Sequence, residues 1–168
     1  MCGIGFAYRP DLEAGALAQA MGRSLTLLAH RGPDGSGQAG QAPWALGNRR
    51  LAIIDLPGSH QPIADGAGRY HLSYNGELYN YRELRDRLSE RWQFRTQGDT
   101  EVVLAGLVTY GPEFLKLMEG MWALALWDSI SAELLLVRDR MGQRPLYYHG
   151  DARRFACASE LPALVPLS

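Results

Sequence analysis

Met121-Trp122-Ala123-Leu124-Ala125-Leu126-Trp127-Asp128, then Glu133-Leu134-Leu135-Leu136-Val137-Arg138, reads as two β-strands joined by a short turn. Pro145–His149 and Arg154–Ser159 follow as two more strands, so the pattern is β from Met121 onward. Upstream, Gly3–Tyr8 is a short apolar strand reaching Pro10. Leu17, Met21, Leu25 and Leu28 then form one helical stripe, which must end before Gly32-Pro33. Arg31–Pro43, rich in Gly, Pro and Gln, reads as a loop. Ala45–Asp55 reads as strand interrupted near Asn48, Pro57–Gly68 as a second loop and Tyr70–Asn75 as strand. Asn80 opens a helix with Glu83 as its capping-box partner and Leu84 and Leu88 facing the core. Trp92–Thr96 reads as a short strand, and Asp99 or Thr100 caps a third helix that Gly111-Pro112 closes. Several strands with helices but no regular β-α alternation argue for α+β and against a doubly wound parallel sheet.

The chain has 168 residues, which favours one domain with a sizeable core. A hydrophobic fraction of 46% with 21% charged residues indicates a globular rather than a disordered protein. The net charge of -1 comes without any Lys/Arg-rich run, so neither nucleic acid nor an anionic membrane is an expected partner. No apolar run is long enough to span a bilayer, and the N-terminus lacks the pattern of a signal peptide. Two cysteines, Cys2 and Cys157, are too few for a disulfide framework, so a reducing cytoplasm is the expected compartment.

Cys2 directly follows Met1. Removal of Met1 would leave a thiol and a free α-amine on one residue, and the amine can then act as base for its own thiol. Their reference pKa values, ~8.5 and ~7.7–8.0, make that proton transfer nearly balanced. Asn75-Gly76 is the strongest short signal for a tight hairpin turn. It is followed, however, by Glu77-Leu78-Tyr79 and a helix instead of a returning strand. The same pair can offer a side-chain and a main-chain N–H to an oxyanion.

These residues belong to a series of segments. Met1-Cys2-Gly3-Ile4, His30-Arg31-Gly32-Pro33-Asp34, Arg50-Leu51-Ala52-Ile53-Ile54-Asp55, Tyr74-Asn75-Gly76-Glu77-Leu78-Tyr79-Asn80 and Gly98-Asp99-Thr100-Glu101 come first. Glu119-Gly120-Met121-Trp122-Ala123, Val137–Gly142 and Ala158-Ser159-Glu160-Leu161 complete it. Together and in this order they resemble the glutaminase domain of glutamine-dependent asparagine synthetases, a class II amidotransferase and N-terminal-nucleophile (Ntn) hydrolase. The resemblance covers essentially residues 1–168. It implies an αββα sandwich of two antiparallel sheets between helical layers, with the nucleophile at the end of a central strand.

It also implies roles. Cys2 is the nucleophile, which attacks the side-chain amide of glutamine to give a thioester, ammonia and finally glutamate. Asn75 and Gly76 form the oxyanion hole. Arg50 takes the substrate α-carboxylate, to which a guanidinium fork is matched, with backbone contacts from Ile53 and Ile54. Glu77 and Asp99 take the α-ammonium, and Asp99 can also cap its helix. His30–Asp34 is a signature near the site, in which Arg31 either organises the pocket or only structures the loop.

Other patterns carry no chemistry. Gly35-Ser36-Gly37-Gln38-Ala39-Gly40 matches G-x-G-x-x-G but lacks the preceding strand and following helix of a dinucleotide site. Four scattered histidines and no C-x-x-C give no metal site. Trp122, Trp127 and Cys157 read as core. The run from Met121 to Trp127 supplies apolar surface for a core and for a docking wall or ammonia path. The Ser-Gly-Gly-x-Asp-Ser phosphate loop of a synthetase domain does not occur in the sequence. No cofactor is therefore expected in this chain, and ATP and Mg are expected only on a synthetase partner. Two other readings stay open: a non-catalytic domain that binds or regulates a synthetase, and an Ntn acylase for another amide.

Overall fold

The computed structural model describes residues 1–151 and 153–168. One sheet carries the strand order β2 (Gly35–Ala39), β3 (Trp44–Arg50), β1 (Gly3–Tyr8), β9 (Phe155–Ala158), β8 (Tyr147–Gly150). The second carries β4 (Ile63–Ala64), β5 (Tyr70–Leu78), β6 (Gly120–Asp128), β7 (Glu133–Arg138). The strand pairs are antiparallel throughout.

Period-two alternation sorts each strand between two cores. Ile4 and Phe6 of β1 meet Ala123, Ala125 and Trp127 of β6 between the sheets. Truncating Phe6, which is fully buried, would cost about 3–5 kcal/mol. Ala7, Ala45, Ala156 and Ala158 face the other way, under Leu17, Met21 and Leu25 of α1 (Ala14–Leu27) and Leu164 of α4 (Leu161–Leu164). Leu72, Leu78, Leu124 and Leu126 cover the outer face of the second sheet beneath α2 (Tyr81–Leu88) and α3 (Asp99–Tyr110). The result is four layers, helix–sheet–sheet–helix, with β1 in the middle of its sheet.

Several elements differ from the expectation. Gly35–Ala39 is strand, because its pairing with β3 is a tertiary fact that a Gly-rich edge segment does not advertise. β3 runs through Asn48 without interruption and stops at Arg50. The buried Asn48 amide finds Ser73 Oγ at 2.8 Å and Gln61 Oε1 at 3.2 Å across the sandwich. β5 extends to Leu78, so Asn75-Gly76 lies inside a strand and not in a turn or loop. Trp92–Thr96 is not strand: Glu101 accepts from the Arg95 and Thr96 N–H groups in place of a neighbouring strand.

The capping box does not form. The Asn80 side chain bonds Leu117 O and Glu119 N, and Glu83 pairs with Arg87. Asp99 is the first residue of α3, and Gly98 occupies the cap position. Residues 122–127 are buried on both faces of the second sheet, so this stretch is core and provides no docking wall.

Candidate active site

The short chain between Cys2 and β1 is fixed from two sides. Arg31, nearly buried, donates from Nε to the Cys2 carbonyl at 3.0 Å and from Nη1 to Glu160 at 2.9 Å. Ser159 donates its N–H to Ile4 O and accepts the Ile4 N–H on Oγ, each at 2.9 Å. The His30–Asp34 segment therefore anchors the Cys2 backbone, which the sequence left undecided. Gly32 is obligatory in this turn, since a Cβ there would stand 2.3 Å from the Arg49 carbonyl carbon. Asp34 completes the bracket by accepting the Ala52 N–H at 2.9 Å.

Cys2 Sγ sits against the Leu51 main chain, accepting its N–H at 3.4 Å with the Leu51 carbonyl at 3.6 Å. Burial pushes the thiol pKa up; the Leu51 hydrogen bond, the N-terminal charge and Arg50 offset part of that rise. The resting sulfur is therefore a thiol, and attack requires a base.

Cys2, Arg50, Ile53, Ile54, Asn75, Gly76, Glu77 and Asp99, the eight residues singled out from sequence, all line one pocket. Met1 lines it too, and the cavity holds about 70 Å³, room for a handful of waters rather than an amino acid. The Met1 ammonium donates to Arg31 O at 3.1 Å.

The donors of β5 follow from the sheet register. Gly76 faces Trp122 on β6, but the Trp122 N–H and C=O both turn toward Asp139, at 3.1 and 2.8 Å. The pair is thus a non-hydrogen-bonded one, and the N–H groups of Tyr74, Gly76 and Leu78 point off the opposite edge of β5. Gln61 Oε1 takes that of Tyr74 at 2.6 Å, and Asp99 Oδ2 that of Leu78 at 3.0 Å. The Gly76 N–H between them has no such acceptor among the described residues. On the other face of the strand the Asn75 Nδ2, fully buried, is likewise unpaired. Two open donors therefore flank the pocket that holds the thiol. Gly76 must be glycine here: a Cβ would lie 2.5 Å from Met121 O and 2.7 Å from the Tyr74 hydroxyl.

Arg50 is nearly buried and organises the loop that follows it. Its Nη1 donates to Leu56 O at 2.9 Å, and its Nη2 to Ile54 O at 3.2 Å and Asp55 O at 2.7 Å. Three of the five guanidinium N–H groups are so used, and a two-pronged grip on a carboxylate requires one loop bond to give way. Ile53 is 64% exposed at the rim. Asp55 ties the loop to the approach of α3 by accepting the Gln97 N–H at 2.8 Å. Asp99 is 7% exposed, and burial raises its pKa to about 6.

Sequence reasoning missed Leu51, Ser59, Gln61, Tyr74, Thr100 and Arg144 in this pocket. Leu51 acts by its backbone, and the others resemble ordinary strand, helix or loop residues. Among the described residues no cluster of His, Cys, Asp and Glu is placed to hold a metal, and no helix is long and apolar enough to cross a membrane.

Comparison with known proteins identifies the family and the fold. The chain is 42% identical to a putative glutamine-hydrolysing asparagine synthetase of Mycobacterium bovis, over 99% of its own length and 28% of the relative's. It is 38% identical to asparagine synthetase B of Escherichia coli, over 99% of its length and 30% of that protein. It thus spans less than a third of these relatives. Among solved structures, glutamine phosphoribosylpyrophosphate amidotransferase of Bacillus subtilis superposes with a TM-score of 0.77 at 20% identity, over 99% of this chain and 43% of that one. That likeness shows the fold, the Ntn-hydrolase sandwich. Residues 1–168 match the family model described as a glutamine amidotransferase domain, and to that family the chain belongs.

Proposed function

We propose that this chain hydrolyses the side-chain amide of glutamine and that the ammonia passes to an asparagine-synthetase-like domain or partner. The observation that carries the reading is the meeting of the Cys2 thiol with two open N–H donors, Asn75 Nδ2 and Gly76 N, in one pocket.

Removal of Met1 frees the Cys2 α-amine and widens the pocket in the same step. The amine takes the thiol proton as sulfur attacks the amide carbon. Asn75 and Gly76 hold the oxyanion. The protonated amine passes its proton to the leaving nitrogen, ammonia departs, and a thioester remains. The amine then draws a proton from water, which attacks the thioester, and glutamate leaves as the thiol re-forms. Arg50 provides positive charge for the α-carboxylate beside Ile53 and Ile54, and Glu77 and Asp99 receive the α-ammonium. The domain is cytoplasmic and needs no cofactor for this half-reaction. ATP and Mg serve acceptor activation on the synthetase side, as the similarity to glutamine-hydrolysing asparagine synthetases suggests.

The test is intact mass paired with ammonia release from glutamine. Activity should scale with the fraction of chains lacking Met1. A fully active sample that retains Met1 would overturn the mechanism, and no ammonia release from processed chains would favour a non-catalytic binding domain.

The pH profile is a second check. Asp99, raised to about 6 by burial, must be charged to pair with an ammonium. Protonation therefore weakens binding as pH falls, and below about 6 kcat/KM should lose a further factor of about ten per pH unit beyond the loss that protonation of the Cys2 amine already causes. A second limb at higher pH belongs to the Cys2 amine. Asp99→Asn should erase the lower limb alone; a profile without that limb in the unaltered protein removes Asp99 from the site.

A further inference from the structure

Tyr74 is 1% exposed, yet among the described residues its hydroxyl has no hydrogen-bond partner, although buried polar groups are normally paired. The side chain runs along β5 behind Gly76, and its oxygen lies 2.7 Å from where a Gly76 Cβ would stand. It lines the pocket together with Glu77 and Asp99. Burial, reinforced by the charges of Asp99 and then Glu77, keeps the phenol protonated.

Resting on the glutaminase reading, we propose that Tyr74 is the third acceptor for the substrate α-ammonium and a determinant of specificity for free α-amino acid amides. An ammonium carries three N–H donors. Glu77 and Asp99 account for two. A third carboxylate would add charge that must be desolvated in the same pocket, whereas a phenol oxygen accepts a hydrogen bond without it. The Tyr74 oxygen has no partner among the described residues, and Asp99 Oδ2 already accepts the Leu78 N–H. The unfilled hydrogen-bonding capacity of Tyr74 is thereby satisfied only when an ammonium is present.

Tyr74→Phe removes one oxygen and keeps the ring that fills the core. The experiment measures kcat/KM for glutamine and for glutaramate, which is glutamine without the α-amine, in processed full-length protein. The ratio of glutamine to glutaramate should fall about tenfold in the variant, and mostly through KM. A merely structural role lowers both substrates in proportion and leaves the ratio where it was, which overturns the proposal. A fall in kcat for both substrates assigns the hydroxyl to the reacting amide and overturns it equally. If the unaltered protein releases ammonia from neither substrate, the glutaminase reading fails and this proposal with it.

Discussion

Cys2→Ala lowers ammonia release from glutamine on the order of 10³-fold or more, with the melting temperature within a few degrees of the parent's. Nothing else in the pocket can replace the nucleophile: Cys157, the second cysteine, is fully buried between the sheets with its thiol pushed up to about 12. Loss of a covalent nucleophile leaves only binding and oxyanion stabilisation, hence the size of the effect. The fold should tolerate the change, because Cys2 lies outside β1 and its carbonyl, the atom that Arg31 holds, is retained. The measurement is steady-state ammonia release on processed protein, together with a thermal melt. Retention of a tenth of the activity would remove Cys2 from the chemistry.

Asn75→Ala follows in size. One of the two open donors disappears, and the expected loss is on the order of 10²–10³ in kcat, with KM little changed. The asymmetry arises because the amide oxygen of bound glutamine becomes a full acceptor only as sulfur adds to the carbon. The buried Nδ2 makes no other hydrogen bond among the described residues, so truncation breaks no internal hydrogen bond at that atom. A rise in KM at constant kcat would make Asn75 a ground-state contact instead. Gly76→Ala is a poorer probe, since the added methyl would collide with Met121 O and the Tyr74 phenol whatever the chemistry.

How far the sequence reveals this site differs by residue. Cys2 is legible because its position, one residue after Met1, is itself the chemical clue. Asn75-Gly76 is legible as a pair of donors but misleading as geometry. The dipeptide usually bends a chain; here β6 holds it straight, and Trp122 turning to Asp139 is what leaves the Gly76 N–H open. That choice of edge depends on register, which no local pattern of residues states. Arg50 is legible as a charge near the pocket, whereas its bonds to the loop carbonyls are visible only in three dimensions. Tyr74 is invisible for a simpler reason. An aromatic in an alternating strand reads as core, as its ring is, and only the hydroxyl without a partner marks it out. The α+β class followed from the C-terminal strands, while Gly35–Ala39 was missed because its strand character comes from the neighbour it lies beside.

The outer edge of β5 has a bearing on solubility. β4 pairs only with His71 and Leu72, so from Tyr74 to Leu78 this edge has no strand beside it. Such an edge invites pairing with another molecule. Gln61 and Asp99 occupy its N–H groups on either side of Gly76, which leaves a gap one amide wide. A single open N–H can receive an oxygen atom, but an incoming strand needs several in succession. The edge is closed to a second chain as well, since Tyr74, Asn75 and Leu78 are buried with the Asp99 carboxylate set against the Leu78 amide. An Asp99→Ala chain, with the Leu78 N–H left buried and unpaired, should melt at a lower temperature than the parent yet scatter no more light on concentration.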